Sequence, residues 1–322
     1  ESHMPLVMFK YGERPYRLGL LNSDETIIDV NYAYEKILYE KHTPAYREFA
    51  AAYAPSDSKA FLNGGEVCMN TIPEIEAKHF AADSLNVDGL PMVFNRKEVK
   101  LAAPVMNPDK IICLSHNYYD FCEETGNPVP PEPRIFAKFS NSICGCDDPI
   151  IYPKMTKCLG YEVELAIVIG RRGRYIPLEK AYDYVAGYTL FNDVSASDLT
   201  SMDKQVCRGK TFDNFAPCGP ALVTKDEVPD PNALEVALYV NGKELQHSNT
   251  KNLIYNVPTL VSFLSECFTL EPGDIIATGT PGGLAKDRVP NTYMQVGDVC
   301  TLKIDILGEL TNTIAAETAK PL

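Results

Sequence analysis

The sequence predicts an α+β, strand-rich protein: a β-rich roll with few helices, preceded by a smaller α+β unit. Three observations predict it. Strand and helix patterns do not alternate regularly, which excludes a doubly wound sheet. From residue 110 onward apolar strand-like runs dominate, punctuated by Asn-Gly and Gly-Asp turns. Before that, short strands mix with three- and four-residue helical periodicity. The texture changes near Leu101-Ala102-Ala103-Pro104, which sets the expected units at 4–103 and 104–322.

In the first unit, Leu6–Phe9 and Tyr16–Leu21 read as strands. Asn22-Ser23-Asp24 makes a turn, and Thr26–Val30 continues the sheet. Helical periodicity follows over Tyr32–Tyr39, Ala45–Tyr53 and Ile72–Ala82. In the second unit, Lys110–Leu114, Tyr161–Ile169 and Tyr184–Phe191 have the composition of buried strands. Leu234–Val240, Asn241-Gly242 and Lys243–Leu245 predict a hairpin, since a type I′ turn needs positive φ at both central residues. Pro258–Phe268 predicts a helix with Leu260, Val261 and Leu264 on one face and Pro258 in its first turn. Pro272-Gly273-Asp274 and Val296-Gly297-Asp298 are turns feeding further strands.

The chain has 322 residues and a formal net charge of −13. Such an acidic surface repels phosphate backbones and anionic bilayers, so nucleic acid and membrane are excluded as expected partners. A small anionic ligand needs local cations or a metal ion to be held. No stretch approaches the roughly 18–20 apolar residues of a membrane span. Glu1-Ser2-His3 reads as an expression scar, and no basic segment with a long apolar run follows Met4. The expectation is a soluble, cytoplasmic protein. Ten scattered cysteines without a Cys-x-x-Cys pair fit reduced thiols, with Cys144-x-Cys146 a weak hint of metal or redox chemistry.

The sharpest local feature is Tyr161-Glu162-Val163-Glu164-Leu165 inside an apolar run. Strand side chains alternate with a period of two, so Glu162 and Glu164 share a face. Two adjacent carboxylates on a half-buried face need a cation or a shared proton. Asp193, where the apolar strand ends, offers a third carboxylate. Oxygen-only donors favour Mg²⁺, Mn²⁺ or Ca²⁺ over Zn²⁺. The plain alternative is that the two glutamates mark a solvated outer face.

Further blocks lie in order along the chain. They are Ile112-Cys113 with Asn117-Tyr118 and Glu123-Glu124-Thr125-Gly126; Asp148-Pro149-Ile150; the Glu162-Val163-Glu164 run; Asn192-Asp193-Val194-Ser195-Ala196; Gly209-Lys210-Thr211-Phe212-Asp213; and Thr278-Gly279-Thr280-Pro281. In these blocks Asp109–Glu317 resembles the fumarylacetoacetate hydrolase family. The resemblance implies a mixed β-sandwich roll, usually a homodimer. It implies a Mg²⁺ or Mn²⁺ site on Glu162, Glu164 and Asp193. It places Lys210 beside metal and substrate as a catalytic residue, and Lys138, Thr280 and Asn117 at a small oxo-acid substrate. Read without the family, Lys138 is a surface cation and Thr280 a turn-stabilising hydroxyl.

Members that hydrolyse or decarboxylate carry a His after Asn-Tyr and a Glu three residues later, a pair that activates water. Here Glu124 fills the Glu position, but Phe121 stands where the resemblance places His. Phenylalanine cannot accept a proton. His116, five residues upstream, is the candidate replacement base; its other reading is a packed loop histidine. The family block Ser-Ala-Arg-Asp-x-Gln is altered to Ser195-Ala196-Ser197-Asp198-Leu199-Thr200. The first expectation is therefore a metal-dependent hydrolase of a C–C bond in a diketo acid or acylpyruvate, with Glu124, His116 and Lys210 catalytic. The alternative is an enolate-type isomerase, tautomerase or decarboxylase. A third is a catalytically weak metal- and ligand-binding protein.

Overall fold

The structure, a computed structural model, describes residues 2–202, 204–318 and 320. Two sheets face each other. The larger is twelve-stranded. Its spine runs from Val93–Asn95 through Thr26–Asp29, Arg17–Leu21 and Leu6–Tyr11 to Ala216–Thr224. It continues through Val185–Asn192, Val163–Ile169, Ile275–Ala277 and Ile111–Ser115 to the edge strand Arg134–Ala137. The second sheet has five strands, ordered Lys243–Asn249, Glu235–Val240, Val299–Ile304, Gly308–Ala316 and Ile150–Tyr152. The expected strand-rich α+β roll is the observed fold.

The continuous apolar strand Val163–Ile169 explains the layering. Leu165, Ile167 and Ile169 point into the core shared with Leu238, Leu302 and Ile314 of the second sheet. Ala166 and Val168 point the other way, into a core built with Leu6, Met8, Ile37 and Phe61 of the first hundred residues. Burial on both faces removes the polar half of the alternation, as expected for a central strand. Helix Val257–Cys267 closes one end of the first core with Leu260, Val261 and Leu264. Asn256 caps it, its side chain accepting from the Thr259 amide.

The first hundred residues form the expected strands and helices, but their sheet does not stop at residue 103. Leu6 pairs antiparallel with Leu222, so one sheet runs through both regions. The helix expected over Ile72–Ala82 is Thr71–Ala77; Lys78 caps it and His79 takes φ +47°, outside the helical region. Short helices at Ser58–Asn63, Gly65–Met69 and Tyr119–Thr125 show too few turns to reveal a period in the sequence. Among the described residues no helix is long and apolar enough to cross a membrane.

Candidate active site

Strands Val163–Ile169 and Val185–Asn192 pair antiparallel, with Val163 opposite Asn192 and Glu164 opposite Phe191. The ladder extends one step past both strand ends, where the Asp193 amide donates to the Glu162 carbonyl at 3.0 Å. The Asn192 side chain accepts from the Glu162 amide at 3.0 Å and fixes this turn. Glu162, Glu164 and Asp193 therefore converge, with one carboxylate oxygen from each lying within 4.8 Å of the others. Glu164 and Asp193 are buried, whereas the Glu162 side chain keeps 15% of its surface open to a cleft.

Two lysines face these carboxylates. Lys210 donates to Glu162 at 3.0 Å, to Asp193 at 3.1 Å and to the Ser195 hydroxyl at 2.6 Å. Lys138 donates to the other Asp193 oxygen at 2.7 Å and to the carbonyls of Val194 at 3.0 Å and Phe215 at 2.6 Å. An ammonium has three donors, and each lysine has three acceptors. Lys138 therefore braces Asp193 rather than meeting substrate, a correction to the role expected for it. Its side chain is wholly inaccessible, although the residue borders a surface concavity of about 640 Å³ along the edge strand. That concavity lies away from the carboxylates.

The charges do not balance. Three carboxylates against two ammonium groups leave one negative charge uncompensated in a buried place. Burial, partly offset by Lys210 and reinforced by Asp193, pushes the Glu162 carboxyl up to about 7. Burial and the two neighbouring carboxylates raise Glu164 well above the ordinary carboxylate range. Asp193 moves the other way. Its burial opposes ionisation, but Lys138 and Lys210 outweigh that and bring it down to about 2. One Glu164 oxygen accepts from the Gly279 amide at 3.2 Å, and the other is buried without a partner. An orphaned carboxylate oxygen among oxygen-only donors with surplus negative charge is a good fit for a hard divalent cation.

Gly279 is needed where it stands. Its φ is +105°, and a Cβ there would lie 2.9 Å from the Asn117 side chain. Asn117 itself corrects another expectation. Its amide donates to the carbonyls of Thr278 at 2.7 Å and Tyr255 at 3.0 Å, and its oxygen accepts from the Tyr255 amide at 2.9 Å. It ties the Thr278–Thr280 loop to residue 255 and has little left for substrate. Asn117→Ala is expected to cost about 2–3 kcal/mol of stability by leaving these buried groups unpaired, read as a lower urea midpoint with unchanged m-value. An unshifted midpoint would show that Asn117 is not a strut.

Thr280 accepts from Gln246 at 2.9 Å and keeps its hydroxyl proton available for a ligand oxygen. Glu124 lies on helix Tyr119–Thr125, but its carboxylate accepts from the Gly283 amide at 2.8 Å and faces a neighbouring groove with Asp120 and Arg288. His116 has φ +55°, its Nδ1 2.5 Å from the Ser115 hydroxyl and its ring edge-on to Phe121 at 5.2 Å. Burial, with Arg134 and Lys286 adding positive charge nearby, lowers its pKa and keeps the imidazole neutral. The structure thus joins Lys210 to the carboxylates, while Glu124 and His116 make their hydrogen bonds to Gly283 and Ser115. Sequence reasoning missed Ser195, Asn192 and Gly279 as organisers. All three sat inside the quoted blocks, where only partners in space reveal their roles.

A buried carboxylate array of this kind is the donor set that suits a hard divalent cation. Residues 110–315 match the fumarylacetoacetate (FAA) hydrolase C-terminal family. The chain belongs to that family, whose relatives include hydrolases, isomerases and tautomerases. It is 39% identical over 315 residues to the mitochondrial oxaloacetate tautomerase fahd2 of Xenopus laevis, covering 97% of this chain and 90% of that one. It is 41% identical over 262 residues to human oxaloacetate tautomerase FAHD2A, also mitochondrial, covering 81% and 80%. Among solved structures, fumarylacetoacetate hydrolase from Exiguobacterium antarcticum superposes with a TM-score of 0.76 at 32% identity, covering 98% of this chain and 100% of that one. Maleylpyruvate hydrolase from Sphingobium sp. SYK-6, in complex with manganese(II) and pyruvate, superposes with a TM-score of 0.73 at 26% identity, covering 98% and 100%.

These relatives overturn the cytoplasmic expectation, because the tautomerases named are mitochondrial. They also shift the balance of reactions from hydrolysis, the first expectation, toward the tautomerase alternative.

Protonated Glu162 and Glu164 compete with a metal ion for the same oxygens. Both carboxyls bind protons more tightly folded than unfolded, against an ordinary value of 4.5. The ion-free fold therefore has this contribution in full below 4.5 and loses it as pH rises through about 7. Asp193, at about 2, titrates well below this window. The rise in Tm on adding MgCl2 or MnCl2 is expected to grow from pH 6 to pH 8. A gain that is flat or shrinks over that range would contradict the assignment.

Proposed function

We propose that the protein is a divalent-ion-dependent keto–enol tautomerase of a four-carbon 2-oxo dicarboxylate, oxaloacetate, with Mg²⁺ or Mn²⁺ held by Glu162, Glu164 and Asp193. The observation that carries the reading is the buried, partnerless Glu164 oxygen within that carboxylate set, in a chain 39% identical to an oxaloacetate tautomerase across nearly its whole length. When bound, the ion polarises the 2-oxo group and favours its enolate.

The chain's own groups do the rest. Lys210 and Lys138 hold Asp193 in one orientation, and Lys210 with Ser195 positions Glu162. Thr280 offers its hydroxyl proton to a substrate oxygen. Tautomerisation breaks the enol O–H bond and forms the C3–H bond without consuming water. Phe121, which cannot activate water, is compatible with this reaction and poorly suited to hydrolysis. His116, neutral and packed against Phe121, is the group proposed to carry the proton.

The test uses Mg²⁺-loaded protein and enol-oxaloacetate, following loss of enol absorbance together with NMR of the products. The reading requires accelerated ketonisation, deuterium entry at C3 in D2O and no excess pyruvate. Ketonisation at the uncatalysed rate, alongside cleavage of an acylpyruvate with ¹⁸O from solvent in the product, would establish the hydrolase instead. His116→Gln with unaltered kcat would remove that residue from proton transfer.

A further inference from the structure

The carboxylate cleft is lined by Glu162, Ser195, Ser197, Thr200 and Lys210 on one side and by the 284–286 segment on the other. At about 60 Å³ it admits only the reacting end of a ligand. The rest of a four-carbon molecule has to emerge at the mouth. Lys286 lines the cleft there and is exposed, and its ammonium has no hydrogen bond or ion pair among the described residues. Arg134 stands opposite Ser115 on the edge strand, beside His116, and its residue is also exposed, with no hydrogen bond or ion pair to its guanidinium among the described residues. Both cations lie close enough to His116 to depress its ionisation.

Exposed cations here run against the character of the molecule. Acidic residues outnumber basic ones by 43 to 30, and the other two cations of the site, Lys138 and Lys210, are fully engaged. The helix that follows Asp193 presents Ser197 and Thr200 to the cleft, neither of which can carry positive charge. Unpaired positive charge at the opening of an otherwise acidic protein attracts and holds an anion.

We propose that Lys286, at the cleft mouth, and Arg134, beside His116, form a second anion subsite, which takes the far carboxylate of a 2-oxo dicarboxylate and selects it over monocarboxylates. The inference rests on the tautomerase reading for the identity of the ligand, but its test does not need turnover. Full-length Mg²⁺-loaded protein is titrated calorimetrically with oxaloacetate and with its 4-ethyl ester, which keeps the reacting end and lacks the far charge. Wild type binds oxaloacetate more tightly than the ester. Lys286→Met and Arg134→Met each weaken oxaloacetate about fivefold, the upper range for an exposed charge pair, and leave the ester unchanged. Lys286→Arg restores the preference, and the preference shrinks as salt is raised.

Equal affinity of wild type for the two ligands, or parallel weakening of both by the variants, would overturn the subsite. A wild type that discriminates between them yet fails to speed ketonisation supports the subsite while refuting the reaction.

Discussion

Glu164→Gln is expected to abolish the rise in Tm that Mg²⁺ or Mn²⁺ produces and to lower kcat/KM by about a hundredfold to a thousandfold, the scale of losing one element of charge stabilisation. The same substitution is expected to make the ion-free protein more stable. Glu164 is buried, one of its oxygens has no partner, and its ionisation is resisted by burial and by two neighbouring carboxylates. A neutral amide of the same shape removes that conflict and can keep the acceptor for the Gly279 amide. A Tm gain of about 2–4 °C is the expected scale, what ~1 kcal/mol gives in a domain of roughly 150–250 residues. Scanning fluorimetry with and without ion reads both effects. A Glu164→Gln protein that still gains Tm on adding ion would remove Glu164 from the metal set.

The second large effect is at Lys138. Lys138→Met leaves Asp193 with one ammonium instead of two and strips the Val194 and Phe215 carbonyls of a donor in a wholly inaccessible place. Removing one partner of a buried, hydrogen-bonded ion pair costs about 3–5 kcal/mol, expected here as a Tm loss of roughly 10 °C. Lys138→Arg is expected to rescue little. A planar guanidinium cannot place three donors around the point where the ammonium sits. A Lys138→Met protein with near-native Tm would mean that Asp193 is held by Lys210 alone.

The carboxylate triad was legible because it depends on local rules. A period of two puts Glu162 and Glu164 on one face, and a strand end places Asp193. The buried strands were legible from runs too apolar for one solvated face. Lys138 was not legible as a brace. Its sequence neighbours, Ile135, Ala137 and Phe139, are exposed, and only the approach of residues 193–194 and 215 draws its ammonium inward. The orientations of Glu124 and His116 were illegible for a related reason. Their directions depend on the Gly283 amide, the Ser115 hydroxyl and the Phe121 ring, contacts that no spacing encodes. Asn117 followed the same pattern, its bonds reaching residues 255 and 278 across the fold.

The strand that begins at Leu6 has a bearing on how this enzyme can be cut down. Because it pairs with Ala216–Thr224, excising the first hundred residues would not sever a tether between two self-sufficient bodies. It would peel a strand from the middle of a sheet. The apolar floor formed by Ala166, Val168, Phe191 and Leu222 would be laid bare at an uncovered strand edge. Raw edges of that kind recruit other chains, so the shortened polypeptide would be prone to cling to itself before it could turn over any substrate.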